Sequence, residues 1–145
     1  MELTVKKFEE LTASELYEIL KARADIFVVE QSCIYNDLDG NDQMAYHVFL
    51  HDENGIAAYL RVVPAGVYDD SVRIGRVITT RRGLGLGSRI MKEGLCVARD
   101  RLSADKITIS AQTHAIGFYR KNGFDVVSDE YLEDGIPHVK MAALT

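Results

Sequence analysis

The stretch Ile74-Gly75-Arg76-Val77-Ile78-Thr79-Thr80-Arg81-Arg82-Gly83-Leu84-Gly85-Leu86-Gly87-Ser88 is an apolar strand that runs into an Arg-Gly loop and then into a helix. The alternating glycines Gly83, Gly85 and Gly87 let the backbone approach a ligand with no Cβ in the way, and the amides that open the next helix are unpaired donors facing an anion. The segment therefore reads as a pyrophosphate cradle. Spacing argues against the two common nucleotide cradles. A dinucleotide fingerprint sets its third glycine three residues after the second, whereas Gly87 follows Gly85 by two; a P-loop ends in Lys-Ser/Thr, whereas Ser88-Arg89 stands here.

Further along, Lys106-Ile107-Thr108-Ile109-Ser110-Ala111 alternates with period two, as a strand does. It is followed by Ala115-Ile116-Gly117-Phe118-Tyr119-Arg120-Lys121-Asn122-Gly123-Phe124, which reads as a short helix over 115–122 with Gly123 as its left-handed C-terminal cap. These two segments carry a family likeness. Arg82, Gly85 and Gly87 match the pattern Gln/Arg-x-x-Gly-x-Gly/Ala, and the first segment resembles motif A of the GNAT superfamily of N-acetyltransferases. The second resembles that superfamily's Phe-Tyr-x-x-x-Gly-Phe helix, which packs beside the cofactor. Four further blocks are similar to the ElaA-type subgroup: Phe27-Val28-Val29-Glu30-Gln31, Tyr35-Asn36-Asp37-Leu38-Asp39-Gly40, Ile74-Gly75-Arg76-Val77 and Glu133-Asp134-Gly135-Ile136-Pro137-His138.

The remaining elements follow from periodicity and punctuation. Leu3 to Phe8 is a strand; Thr12 or Ser14 caps a helix whose apolar positions Leu16, Ile19, Leu20, Ala24 and Phe27 recur at helical spacing. Residues 30–43, rich in Asn, Asp and Gly, form a functional-looking loop or a disordered segment. Strands over 45–51 and 56–63 are joined by Asp52-Glu53-Asn54-Gly55, a hairpin signal, and Pro64 ends the second. Strand 72–78, a long helix over 87–101, strand 107–111, the short helix, and strands 124–131 and 138–142 complete the chain. The order β, α, β, β, β, α, β, α, β, β predicts one α/β (α+β type) domain over 1–145; the resemblance implies a central mixed, mostly antiparallel sheet flanked by helices and splayed at the cofactor site, the acyl-CoA N-acyltransferase layout.

Composition bounds the function. The 145 residues suffice for one core burying about two thirds of the unfolded surface. Seventeen basic against twenty-two acidic residues give a net charge of -5, and no basic cluster longer than Arg81-Arg82 occurs, which argues against a nucleic-acid partner. Cys33 and Cys96 are far apart and lack His or Cys at metal-ligand spacing, so no metal is expected and both read as free thiols. The first residues have no apolar signal region and no stretch reaches the roughly 20 apolar residues of a membrane span; a cytoplasmic location without membrane contact is expected.

The resemblance implies the chemistry. Acetyl-coenzyme A would wedge into a splay between the strands ending at Thr79 and Ala111, with its pantetheine amides on the edge of Val77, Ile78 and Thr79. Its diphosphate would rest on the amides of Gly83, Leu84, Gly85, Leu86, Gly87 and Ser88 beside Arg82, with His114 also on the cofactor. Tyr119 aligns with the tyrosine that serves as general acid to the sulfur. Transfer would be direct, in a ternary complex, to a primary amine of a small molecule or peptide. Glu30, Asp37, Asp39 and His138 are the candidates for holding that amine; with His47, His51 and His114 they are also the candidate bases, and none of these stands out as the base. A non-catalytic acyl-coenzyme A binding module is the alternative. Exposed strand edges near the C-terminus are compatible with a homodimer.

Overall fold

The computed structural model describes residues 1–144. Eight strands form one sheet in the order β1-β2-β3-β4-β5-β8-β6, with β7 paired to the free end of β8. They are β1 (Glu2–Lys7), β2 (Tyr46–Asp52), β3 (Gly55–Val63), β4 (Val72–Thr79), β5 (Lys106–Gln112), β6 (Asp125–Val126), β7 (Tyr131–Glu133) and β8 (Ile136–Leu144). Among the described residues, only β4 and β5 run parallel. The helices are α1 (Ala13–Arg23), α2 (Leu86–Leu102) and α3 (Ile116–Lys121).

Of the two candidate caps for α1, Thr12 is used. Its hydroxyl accepts from the Glu15 amide at 3.1 Å while the Glu15 carboxylate accepts from the Thr12 amide at 2.9 Å, a reciprocal capping box. The apolar spacing predicts one helix through Phe27; instead the α-helix gives way to a π-helix over Ala24–Glu30. The hairpin between β2 and β3 turns at Glu53-Asn54, and Gly55 takes the left-handed φ of 96° that the turn needs. At the end of α3, the Gly123 amide donates to Arg120 O and the Phe124 amide to Tyr119 O, a Schellman close with Gly123 at φ 96°.

One expected strand divides. Residues 124–131 do not run as a single strand, because the Ser128 hydroxyl takes the Lys140 amide at 2.8 Å in place of a backbone partner and ends the β6 ladder. Pairing resumes only at Tyr131, and β8 correspondingly extends over Ile136–Leu144.

The two faces of the sheet are built differently. Toward α2 and α3, Val48, Leu60, Ile74, Ile90, Met91, Ile107, Phe124 and Met141 belong to one continuous apolar core. Toward α1, Ile19, Phe49, Ile56, Tyr59 and Ile78 form a smaller cluster. Next to it on the same side lie Arg23, His47 and Arg61, each at most 1 % exposed.

Candidate active site

The parallel pair β4 and β5 is joined only at Val72 with Ile107 and at Arg73 with Thr108. Beyond those pairs the strands diverge, and their facing edges carry backbone donors and acceptors with no strand between them. A β-bulge sharpens the divergence. Arg61 faces Gly75 and Tyr59 faces Ile78, so β4 holds one residue more than β3 across this stretch, and Arg76 sits at a left-handed φ of 53°. The extra residue inverts the side-chain alternation. Ile74 packs into the α2-side core, whereas after the bulge it is Val77 that leans on that core while Ile78 joins the α1-side cluster.

A cleft of about 190 Å³ opens in the splay, lined among others by Val77, Ser110, His114, Tyr119, Glu133 and His138. Its size suits the reacting ends of two substrates rather than a whole coenzyme. Tyr119 comes from α3, where its ring is fixed edge-on against Phe118 and Phe124 at centroid distances of 5.1 and 6.0 Å. Burial pushes the Tyr119 hydroxyl up to about 12, and no described residue hydrogen-bonds to it. His114, on the turn before α3, shares a 2.6 Å hydrogen bond between Nε2 and the Gln112 side-chain oxygen.

The opposite wall is the β7–β8 hairpin. Asp134 and Gly135, at φ 52° and 75°, make the two-residue turn with both central residues left-handed, which pairs Glu133 with Ile136 and Tyr131 with His138. His138 is 6 % exposed. Its Nδ1 lies 2.6 Å from the Ile136 carbonyl, which can only accept, so Nδ1 carries hydrogen and donates. Its Nε2 stands 3.4 Å from Glu133 Oε2. The other oxygen of Glu133 accepts from the Ser110 hydroxyl at 3.2 Å, and that hydroxyl also bonds Tyr131 at 2.6 Å.

The glycine loop is pinned at its entrance. Thr80 donates its amide to Ala57 O and its hydroxyl to Ile56 O, and Arg81 makes two 2.6 Å bonds to the Asp52 carboxylate. Gly83 and Gly85 then adopt φ of 77° and 69°, with nothing within 4 Å of where a Cβ would stand. The space above them is open, as a cradle requires, and the first amides of α2 have no helical acceptors. Gly87 has a different reason to be glycine: a Cβ there would meet the Phe118 ring at 3.0 Å, so its bareness brings α2 against α3. The Asn122 side chain, bonded to Ser88 Oγ at 3.3 Å, ties the same two helices.

Of the residues expected in the site, Val77, His114, Tyr119 and His138 share the cleft. Thr79, Arg82 and Glu30 line a neighbouring hollow of about 680 Å³, where Arg82 and Glu30 pair at 2.7 Å across an exposed gap. The side chains of Ile78 and Leu86 are core; Leu84 is exposed. Asp37 and Asp39 stand differently from the expectation that they face a cationic amine, because arginines already hold them. Asp37 takes Arg23 Nε and lies 2.9 Å from Arg76 Nε, and Asp39 takes both terminal nitrogens of Arg61. Asp42 completes the set, accepting from Arg23 at 2.7 Å and Arg61 at 2.9 Å. Burial works to raise the Asp39 carboxyl, yet hydrogen bonds from Arg61, the Asn41 amide and Tyr68 outweigh it and hold the group well below the usual carboxylate range. Asp42 is lowered against the same opposing burial by Arg23 and Arg61. This network orders the loop over 31–41, expected as functional or disordered, and sets Tyr35 on the rim of the cleft.

Two of the candidate bases lie away from the cleft. His47 donates Nε2–H to the Asp42 carbonyl and takes the Tyr59 hydroxyl at Nδ1; burial lowers it further, so it is a neutral strut of the network. His51 bonds Thr4 at 2.6 Å on the far side of the sheet. Ser110 and Glu133 are among the cleft residues that sequence reading missed, with Tyr131 hydrogen-bonded to Ser110 beside them. The Asp134-Gly135 pair was the available signal, since that dipeptide marks a tight hairpin that brings its flanks together.

The family model for the acetyltransferase (GNAT) domain matches residues 12–145. Protein ElaA of Escherichia coli is 36 % identical over 137 residues, covering 92 % of this chain and 90 % of its own. A UPF0039 protein of Schizosaccharomyces pombe is 40 % identical over 145 residues, covering 97 % of this chain and 95 % of its own. An acyl-CoA N-acyltransferase from Pseudomonas aeruginosa superposes with a TM-score of 0.91 at 36 % identity, with 99 % of both chains covered. The crystal structure of Escherichia coli ElaA gives the same score at 34 % identity and equal coverage. No helix among the described residues is long and apolar enough to cross a membrane.

Proposed function

Because the chain belongs to the GNAT acetyltransferase family, whose fold serves acyl transfer from acyl-coenzyme A, we propose that it is an N-acetyltransferase using acetyl-coenzyme A and a primary amine. When bound, the coenzyme supplies an acetyl thioester. The chain's own parts meet the needs of that transfer. The freed edge of β4 at Val77, Ile78 and Thr79 offers backbone partners to an extended amide chain, as an added strand would. A backbone amide of Val77 or Ile78 polarises the thioester carbonyl. Gly83 to Ser88 and Arg82 receive a diphosphate on open amides at the positive end of α2. His114 flanks the cofactor side, and His138 faces the acceptor.

Tyr119 carries the reading. Its hydroxyl lies in the cleft with no protein partner, and burial keeps it in the donor form through neutral pH. A thiolate departing within hydrogen-bond reach of it would take that proton as the carbon–sulfur bond breaks. That unused donor favours the enzyme over a non-catalytic binding module.

Tyr119→Phe keeps the ring and its aromatic contacts while deleting the donor. Turnover of acetyl-coenzyme A should fall by about 10²- to 10⁴-fold with coenzyme binding nearly unchanged, measured in a single turnover. A native single-turnover rate would return Tyr119 to packing. Gly85→Asp tests the cradle independently: added bulk and negative charge should weaken coenzyme A binding by at least about tenfold in calorimetry, or roughly 1.4 kcal/mol.

A further inference from the structure

We propose that His138 is the general base of the transfer and that Glu133 positions it and balances its charge. The inference rests on the acyltransferase reading and names the group which that reading leaves open. Three observations converge. The Ile136 carbonyl at 2.6 Å from Nδ1 accepts a hydrogen bond and cannot give one, so the neutral ring is hydrogenated at Nδ1 and holds its bare lone pair at Nε2. Nε2 lies on the Glu133 side, in the cleft that also holds Tyr119. Glu133, 3.4 Å away, is itself kept in place by Ser110, whose hydroxyl bonds both Glu133 and Tyr131; the Tyr131 ring stacks on the imidazole at 6.2 Å and 20°. A ring with one nitrogen tied to a fixed acceptor and the other free beside a carboxylate is arranged to receive a proton.

The carboxylate of Glu133, like that of Asp134 beside it on the turn, differs from those on the loop that rims the cleft and in the neighbouring hollow. Asp37 and Asp39 are neutralised by arginines, and Glu30 is paired with Arg82, whereas no lysine or arginine pairs with Glu133 among the described residues. It therefore attracts an ammonium to the point where His138 can accept its proton.

The step balances. The acceptor ammonium gives one N–H proton to His138 Nε2, forming an imidazolium that faces the Glu133 carboxylate, and keeps its electron pair as the free amine. The amine nitrogen bonds the thioester carbon, and the carbon–sulfur bond breaks with its pair leaving on sulfur. Tyr119 protonates the sulfur and regains a proton from the same nitrogen as the amide forms. His138 later releases its proton to water. One ammonium and one thioester thus yield one amide, one thiol and one proton.

Two amines of nearly equal size separate this role from a structural one. Methylamine is an ammonium at neutral pH and needs a base; hydroxylamine is already neutral. With acetyl-coenzyme A and release of free thiol as the readout, His138→Gln should lose about 10²-fold or more with methylamine and stay near the unmodified rate with hydroxylamine. Glu133→Gln should show the same selectivity to a smaller extent. Equal losses on both amines, no loss, or a larger selective loss in Glu133→Gln than in His138→Gln would overturn the assignment. Unmodified protein inert toward hydroxylamine would remove the acyltransferase reading and this inference with it. Imidazole NMR on the free protein gives a readout without turnover: His138 should be the Nδ1–H tautomer, and the Nε2–H tautomer would defeat the proposal.

Discussion

The two faces of the sheet hold the molecule together by different physics. Among the described residues, twenty buried apolar side chains make up the α2-side core, against five in the α1-side cluster. What the α1 side lacks in apolar area it replaces with Arg23, Arg61 and Arg76 set against Asp37, Asp39 and Asp42. An apolar core is non-directional and tolerates small changes in proportion to the area lost. A buried ion network is directional: removing one member leaves another charge stranded. The contrast follows the division of labour, because the apolar side fixes the platform under Tyr119 while the ionic side fixes the loop that rims the cleft.

The largest expected effect is on the ionic side. Arg23→Ala takes from Asp42 and Asp37 one of the two arginines that each of them faces, in a region where Arg23 is 0 % exposed, and should cost about 3–5 kcal/mol in urea unfolding. A loss below about 1 kcal/mol would reduce the network to an exposed ion pair and erase the contrast. Acid should reveal the same asymmetry more mildly. The Asp39 and Asp42 carboxyls are depressed in the folded state, so the stability they lend is fully present above the unfolded value of about 4 and is lost as pH falls through the folded value. Thermal unfolding should therefore shift down below about pH 4, and Asp42→Asn should flatten that dependence while lowering stability at neutral pH. An undiminished acid slope in Asp42→Asn would locate the acid sensitivity elsewhere. The smallest effect belongs to the apolar side: Ile90→Val, at 0 % exposure, should cost only about 0.5–1.5 kcal/mol and leave the cleft intact. A cost as large as that of Arg23→Ala would show the apolar core to be as unforgiving as the ion network.

Legibility in the sequence tracked the same division. Features written in adjacent residues were readable: the Gly83 to Gly87 loop opening α2, the Gly123 close of α3, the Asn54-Gly55 hairpin, and Tyr119 beside the glycine-closed turn. Features that depend on distant partners were not. Arg23 sits on the apolar stripe of α1, one turn after Ile19, where a charged residue gives no periodic signal; its partners are 14 and 19 residues away. Asp37 and Asp39 look like free carboxylates for an amine until those arginines are seen beside them. The β4 bulge was invisible for another reason. A left-handed strand residue is usually announced by glycine, and here the neighbour Gly75 lies outside the left-handed region while Arg76 takes it. The Glu133–His138 arrangement was half visible, in an Asp-Gly dipeptide within a quoted block, and was lost because Phe124 to Tyr131 read as one unbroken strand.

Arg76 places two demands on a single position. Its backbone holds the left-handed turn that inverts the alternation of β4, while its guanidinium reaches the Asp37 carbonyl at 3.1 Å and covers the Tyr35 ring at 5.6 Å. Glycine would ease the backbone and untie the loop; lysine would keep a cation and lose the planar fork. Any heritable change at this codon must therefore answer to the shape of a strand and to the posture of a distant loop at once, and few side chains can satisfy both.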